Sequence, residues 1–251
     1  MDALMQVAMK AGATLLKSGA ETYRVEETVV RIFEAYGAQE SNCFVLPTGI
    51  FSSFVFEGKN YSSVRRINGR CTDLHKIDHV NSLARKVAIQ PLPLKELDAE
   101  LDEIINEPSY PNWSVIAFAA IGACGFAFFF DGDFKDGFSA LIIGAIIKIV
   151  MMILERESIS GFFATFIGGM ATVMLSVLMC NMNLGTDSDI IIISVLMLLV
   201  PGIAVTNAIR DSLAGDLVSG VARAVEAVLI AVSLAVGAGA AVSIFRMLGV
   251  M

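Results

Sequence analysis

Residues 138–154 read FSALIIGAIIKIVMMIL, an apolar run in which Lys148 is the one charged residue. A helix of about 17–25 such residues crosses the roughly 30 Å hydrocarbon core of a bilayer. Runs of similar length and composition precede and follow it, so we expect five transmembrane helices in a lipid bilayer. Their predicted ranges are 113–130, 138–154, 159–180, 190–209 and 221–245.

The composition of the whole chain is that of a membrane protein. Of its 251 residues, 55% are hydrophobic and 17% are charged, whereas soluble domains carry about 25% charged residues. The net charge of −7 argues against nucleic-acid binding, which requires a basic surface. The four cysteines form no CxxC motif, so we expect reduced thiols rather than a disulfide framework.

The charged residues concentrate in the N-terminal part. From this distribution we predict three parts: a cytoplasmic α+β domain at residues 1–107, a linker at 108–112 and the membrane domain at 113–251. The fold class is therefore an α-helical integral membrane protein with five transmembrane helices, preceded by a small α+β cytoplasmic domain. The first residues show helical periodicity instead of the apolar core of a secretory signal. We expect a multi-pass protein of the plasma (inner) membrane, with its C-terminus outside.

The α+β assignment depends on a change in periodicity. Residues 2–18 predict an amphipathic helix, and a second helix ends at Gly37. Short β-branched and aromatic runs within 43–67 then predict strands that include a hairpin, and two more helices follow. Ser18 and Glu21 have the spacing of a capping box for the second helix.

A second informative stretch is 201–226, PGIAVTNAIRDSLAGDLVSGVARAVE. Its Pro-Gly pair predicts a helix break of the kind that transporters use. Its charges are costly at a membrane edge unless they face protein, water or a partner. They fall on two helical faces that could line a water-filled path or pair with each other; alternatively they are ordinary edge charges in local ion pairs. The residues concerned are Asn207, Arg210, Asp211, Asp216, Ser219, Arg223 and Glu226, with the break at Pro201 and Gly202.

Other charged residues allow two interpretations each. Lys148 either reaches the headgroup region along its own stem or faces the substrate path. In the N-terminal domain a polar motif on the second helix is a candidate cytoplasmic site or a solvated face with local ion pairs. This motif comprises Glu21, Thr22, Arg24 and Glu27.

Two groups of residues have some features of metal sites. Cys71, His75 and His79 are spaced by four, as zinc ligands on a helix can be, but Cys71 precedes the predicted helix and no fourth ligand is evident. The acidic loop 131–136 resembles a calcium loop, except that Lys135 stands where an acidic ligand is expected. We therefore predict no metal.

Three stretches resemble the threonine/serine exporter family, in particular its shorter, split-type members. The first is GATLLKSGAETYRVEETVVRIFEAYG (12–37), and the third is PGIAVTNAIRDSLAGDLVSGVARAVEAVLIA (201–231). The second runs from VLPTGIFSSF (45–54) to the predicted helix Asp73–Arg85 with its Val80-Asn81 pair. The resemblance implies a subunit of a secondary exporter of threonine and serine, driven by the proton gradient. It also implies that a second, smaller membrane subunit or a homo-oligomer completes the transporter. Dicarboxylate (succinate) export is an alternative, since some split members are linked to it.

Under this resemblance Arg210 and Arg223 would bind a substrate carboxylate, as arginine does in bidentate contacts. Asp211, Asp216 or Glu226 would bind an ammonium group or carry a coupling proton. A regulatory or scaffold subunit is a second hypothesis and a membrane-bound enzyme a third. Residues 1–110 contain no Ser-His-Asp arrangement, phosphate loop or metalloprotease motif, so we expect neither catalysis nor a cofactor.

Overall fold

The N-terminal residues fold with two helices before a three-stranded sheet and two helices after it, so the predicted α+β pattern is present. The computed structural model describes residues 1–69, 71–108, 110–247 and 249; Ser109 of the predicted linker lies outside them. In chain order the elements are α1 (Asp2–Lys17), α2 (Thr22–Ala35), β1 (Gln39–Leu46), β2 (Gly49–Phe56), β3 (Lys59–Arg66), α3 (Leu74–Ile89), α4 (Leu94–Asn106), α5 (Asn112–Phe129), α6 (Phe134–Arg156), α7 (Gly161–Asn181), α8 (Ser188–Leu196), α9 (Gly202–Ala214) and α10 (Leu217–Met247).

These residues divide into two units. The first unit contains Met1–Pro108 together with Ile203–Ala224, and the second contains Ser109–Gly202 together with Val225–Met251. Most of α9 and the first turns of α10 therefore belong with the N-terminal residues. Which parts lie in the cytoplasm and which in the membrane stays a prediction.

The sheet of the first unit is an antiparallel meander in the order β1-β2-β3. Glu57 and Gly58 join β2 to β3 with positive φ angles of 49° and 72°, as a two-residue type I′ hairpin requires. Ile50 and Phe54 are fully buried whereas Phe51 is 42% exposed, so one face of the sheet covers the core. That core includes Leu4, Leu15, Leu16, Val25, Phe33, Leu97 and Leu101.

The predicted capping box of α2 does not form. Ser18 ends α1, Gly19 turns the chain with φ +87°, and Glu21 is the N-cap residue without a side-chain cap hydrogen bond. The left-handed turn at Gly19 separates Ser18 from the first turn of α2, so the expected reciprocal contact is lost. The first amide groups of α2 must therefore find other acceptors.

Within the described residues four helices, rather than the predicted five, are long and apolar enough to cross a membrane: α5, α6, α7 and α10. The predicted fourth span, 190–209, is divided between α8, which ends at Leu196, and α9, which begins at Gly202. Pro201 precedes α9, and a proline cannot continue a preceding helix because it lacks an N–H and its ring clashes with the turn before it. The five-helix expectation is therefore not confirmed.

Glycines allow close helix packing in the second unit. A Cβ built on Gly237 of α10 would lie 2.2 Å from the backbone oxygen of Phe166 in α7, and one on Gly169 of α7 would lie 2.7 Å from the backbone oxygen of Leu234. Backbones approach this closely only where a side chain is missing. The Ser233 hydroxyl also donates to the Phe162 backbone oxygen, so this contact includes a hydrogen bond between α7 and α10.

Candidate functional site

Two charged residues of the 201–226 stretch form a buried ion pair in the first unit. Nε of Arg223 on α10 lies 3.0 Å from Oδ2 of Asp211 on α9, and their side chains are 5% and 0% exposed. The backbone N–H and the hydroxyl of Thr22 donate to Asp211 at 2.9 and 3.0 Å. Nη2 of Arg223 donates to the backbone oxygen of Ala20 at 2.8 Å. The pair thus joins α9 and α10 to the turn before α2.

Asp211 serves as the N-terminal cap that the local sequence of α2 lacks. Thr22 is the first residue of α2, and its N–H has no acceptor within the helix. The positive end of the helix dipole also favours a carboxylate at this position. A residue 189 positions away in sequence therefore completes the start of α2.

Glu21 forms a second, more exposed ion-pair group beside the first. Oε1 accepts from Nη1 of Arg210 at 2.6 Å, and Oε2 accepts from Nε of Arg24 at 2.9 Å. Burial opposes ionisation of Glu21. Hydrogen bonds from its own backbone N–H and from Arg210, with the charge of Arg24, outweigh burial and lower the pKa of Glu21. The side chain of Arg210 is 55% exposed to solvent, whereas that of Arg223, the other arginine predicted to bind substrate, is buried.

Polar contacts extend the attachment of α9 and α10. Nδ2 of Asn207 donates to the backbone oxygen of Gly19 at 2.9 Å, and the Ser219 hydroxyl donates to that of Val45 at 3.1 Å. Gly220 lets the two helices approach, because a Cβ there would lie 2.9 Å from the Ala208 backbone oxygen. Asn207 and Ser219 are buried, so these contacts are part of the interior of the unit.

Two carboxyl groups near this ion pair have pKa values above the ordinary ones for their residue types. Burial raises the pKa of Glu26; the Val45 N–H that donates to it at 2.8 Å opposes this, and the charges of Asp216 and Asp211 add to it. Burial also raises the pKa of Asp216, and the charge of Asp211 raises it further. Glu26 was not singled out in the sequence because it resembles any charge on an amphipathic helix.

The remaining predicted residues lie outside this cluster. Glu27 is exposed and pairs with Arg31 one turn along α2. Glu226 is exposed and belongs to the second unit. Pro201 is the last residue of the non-helical segment between α8 and α9, and Gly202 is the first residue of α9. Thus Glu21, Thr22, Arg24, Asn207, Arg210, Asp211, Ser219 and Arg223 come together, with Asp216 nearby.

Lys148 lies in the second unit at a small cavity of about 170 Å³. Glu155, two turns further along α6, and Thr165 on α7 are its other polar lining residues. Leu198 and Leu199, in the non-helical segment after α8, close one side. The seven-residue spacing of Lys148 and Glu155 places both side chains on one face of a helix, so Glu155 could have been identified from the sequence as a neighbour of the same cavity. Thr165 comes from a different helix and could not have been found in this way.

The acidic loop before α6 has its own structural role. Asp133 caps α6 in a capping box with Asp136. Asp136 is 2% exposed and accepts from the backbone nitrogens of Thr186 and Asp187 at 2.7 and 2.9 Å. These carboxylates join the start of α6 to the loop before α8, which explains their spacing without calcium.

The four helices of the described residues that are long and apolar enough to cross a membrane, with a cationic side chain at a cavity, are typical of multi-pass membrane transport proteins. The family model described as "putative threonine/serine exporter" matches residues 6–245. The chain belongs to the threonine/serine exporter family, as its three sequence stretches predicted.

Relatives of this chain carry two kinds of name. The probable succinate transporter subunit YjjP of Klebsiella aerogenes is 21% identical over 98% of this chain and 96% of its own length. The threonine/serine exporter of Corynebacterium glutamicum is 24% identical over 99% of this chain and 52% of its own length, and the probable threonine/serine exporter of Mycobacterium tuberculosis is 22% identical over 93% and 45%. The chain therefore spans about half of these two exporters. No solved structure matches it significantly.

Proposed function

We propose that the chain is one subunit of a secondary transporter that exports threonine and serine or a related small carboxylate such as succinate, driven by the proton gradient. Family membership supports transport, and the relatives' names supply both substrate classes. The observation that carries the proposal is the position of Lys148 at the cavity between α6, α7 and the interrupted segment after α8.

A lysine within a membrane-length apolar helix is costly unless it faces a partner or a cavity, and such residues usually serve the transport path. The cavity volume of about 170 Å³ is similar to that of a cavity of about 150 Å³ that binds benzene. Threonine and succinate, each with eight non-hydrogen atoms, match this size. The ammonium group of Lys148 would bind the substrate carboxylate.

Glu155 provides a way to distinguish the two substrate classes. Its carboxylate attracts the ammonium group of an amino acid but repels the second carboxylate of a dicarboxylate. We therefore favour the amino acid as substrate when Glu155 is ionised. Glu155→Gln is expected to weaken threonine export and to weaken succinate export less, or to improve it.

In this proposal the buried pair of Asp211 and Arg223 holds a conformation of the transporter rather than the substrate. Both members are already bonded to the residues before and at the start of α2. A substrate carboxylate would have to displace Asp211 from Arg223 in a site without solvent. The exposed Arg210 and the acids Asp216 and Glu226 remain candidates for substrate attraction and proton coupling at the cytoplasmic side.

The chain spans about half the length of two exporters, which supports a second membrane subunit or self-association that completes the transport path.

We further propose that the N-terminal residues lie in the cytoplasm and the C-terminus outside. In this topology 190–209 is a fifth, interrupted crossing. Reporter fusions at residue 107 and after residue 251 test the orientation; a C-terminal reporter active in the cytoplasm would contradict five crossings.

Export from proteoliposomes tests the function, with and without the candidate second subunit, using radiolabelled threonine, serine and succinate under an imposed pH gradient. Lys148→Gln is expected to reduce flux at least tenfold. Lys135→Gln, which removes the same charge from the exposed start of α6, is the matched control and leaves flux unchanged. A folded complex that moves none of the three substrates would refute the proposal.

The scaffold alternative has one supporting observation, since Asp211 and Arg223 bind each other and the residues at the start of α2. In that case Lys148→Gln leaves flux unchanged, while Arg223→Ala changes the amount of the complex with the second subunit that can be purified. Uphill export tests proton coupling separately, because movement against a substrate gradient that survives collapse of the pH gradient by an uncoupler excludes that coupling.

A further inference from the structure

We propose that His75, His79 and Glu107 form a Zn²⁺ site in the first unit. The two histidines lie one turn apart on α3, and Glu107 is the residue after α4. The sequence shows the histidine pair but not the third ligand, which is 28 positions beyond His79. Folding α4 back beside α3 brings the carboxylate to both imidazoles.

The distances fit metal coordination better than hydrogen bonding. Oε2 of Glu107 lies 3.4 Å from Nδ1 of His75 and 3.7 Å from Nδ1 of His79. Direct N–H···O hydrogen bonds measure about 2.7–3.2 Å. Two ligand atoms at about 2.0–2.1 Å from one tetrahedral zinc ion are about 3.3 Å apart. All three candidate ligand atoms lie within 4.8 Å of one another, so small side-chain rotations would bring them to a single ion.

The chemistry of this set favours a particular class of ion. Imidazole nitrogens with a carboxylate oxygen suit Zn²⁺ and Co²⁺, whereas Mg²⁺ and Ca²⁺ prefer oxygen ligands alone. The three side chains are 42%, 42% and 40% exposed, so solvent can supply the remaining ligand position. Asp78 and Glu103 line the adjacent groove and add negative charge that attracts a cation.

The supporting structure is already in place. Nζ of Lys76, next to His75, donates to the backbone oxygen of Ile105 near the end of α4 at 3.1 Å. This bond joins α3 to α4 within two residues of Glu107. Cys71 is not part of the set, because its thiol faces the backbone oxygen of Lys17. A bound ion would fix the last residues of α4 to α3, immediately before the predicted linker.

Co²⁺ titration of the tag-free, metal-free full chain in detergent tests the site, with visible absorption to follow coordination and Zn²⁺ to compete. Since the chain contains two histidines, their ring NMR signals report directly on binding. We expect one equivalent of Co²⁺ to shift both ring signals, and Zn²⁺ but not Mg²⁺ to displace it. His79→Gln and Glu107→Gln are each expected to weaken binding at least about tenfold.

Glu96→Gln, a carboxylate change on α4 outside the set, is the matched control and leaves the affinity unchanged. Zinc should also raise the apparent melting temperature of the parent chain but not of Glu107→Gln, because only a ligand that binds the folded state stabilises it. Equal Co²⁺ affinity in parent and Glu107→Gln proteins, or shifts of neither histidine signal, would overturn the proposal. Either result would show that the three exposed side chains do not form a metal site.

Discussion

The carboxylate of Asp211 accepts both the backbone N–H and the hydroxyl of Thr22, at 2.9 and 3.0 Å. The relation joins the family-like sequence at the start of α2 to the family-like sequence in α9. Each stretch was recognisable separately in the sequence, and the structure shows that the two are in direct contact. One supplies the uncapped helix start, and the other supplies the charge that caps it.

The buried pair is expected to respond differently to single and double replacement. Asp211→Asn or Arg223→Met alone leaves a buried charge without its ionic partner and lowers the free energy of unfolding by about 3–5 kcal/mol. The double variant removes both charges and should recover part of that loss. Thermal melting of the detergent-solubilised chain measures both effects. Glu27→Gln, a carboxylate change at an exposed position, is the control and should change stability little. A double variant less stable than both single ones would contradict this account.

Glu21 is expected to stabilise the fold in a pH-dependent way. Its folded-state pKa is lowered, so its contribution is present above the ordinary glutamate pKa and disappears as pH falls through the lowered value. Glu21→Gln should lower the melting temperature at pH 7 and have little effect at the acidic end of that window. Glu27→Gln, which changes an exposed pair on the same helix, should differ little from the parent throughout.

Glu26 is expected to show the opposite sign. Its pKa is raised, first by burial, so the folded state holds a proton more tightly than the unfolded state. Stability then falls as pH rises from the ordinary glutamate pKa through the raised value. Glu26→Gln keeps an oxygen for the Val45 N–H and should increase the melting temperature at neutral pH. A decrease would show that the charge itself is required.

Close contact of α7 and α10 is expected to depend on Gly237. A methyl group there would meet the Phe166 backbone at 2.2 Å, and overpacking of this kind typically costs about 1–3 kcal/mol. Gly237→Ala should therefore reduce thermal stability. Gly239→Ala adds the same atoms where nothing lies within 4 Å, so its melting temperature should be unchanged or slightly higher. Equal effects of the two substitutions would rule out a specific helix contact at Gly237.

Local patterns were sufficient for much of the architecture. The β-branched and aromatic runs within 43–67 correctly indicated strands that include a hairpin, because such side chains fit a pleated, half-buried surface. Apolar length indicated α5, α6, α7 and α10. The same criterion predicted one continuous helix over 190–209, and the structure instead has α8 and α9 there, since an apolar run does not by itself show whether its helix is continuous.

The candidate site was only partly accessible from local patterns. The shared helical faces suggested that charges on α9 and α10 could meet, and Asp211 and Arg223 do. Their partners Ala20 and Thr22, nearly two hundred positions earlier, follow no periodicity that connects them. The capping box of Ser18 and Glu21 was predicted from local spacing alone. Local spacing cannot show that a residue of a distant helix caps α2 instead.

The sequence alone determined most of the helical segments, the four long apolar helices among the described residues, and the family to which the chain belongs. These properties depend on residue type and short-range spacing. Only the tertiary structure decided that Asp211 caps α2, that Glu155 and Thr165 share a cavity with Lys148, and that Glu107 joins two histidines. Ion pairs and ligand sets require atoms within a few ångströms, and for residues on different elements that proximity arises from packing rather than from sequence order.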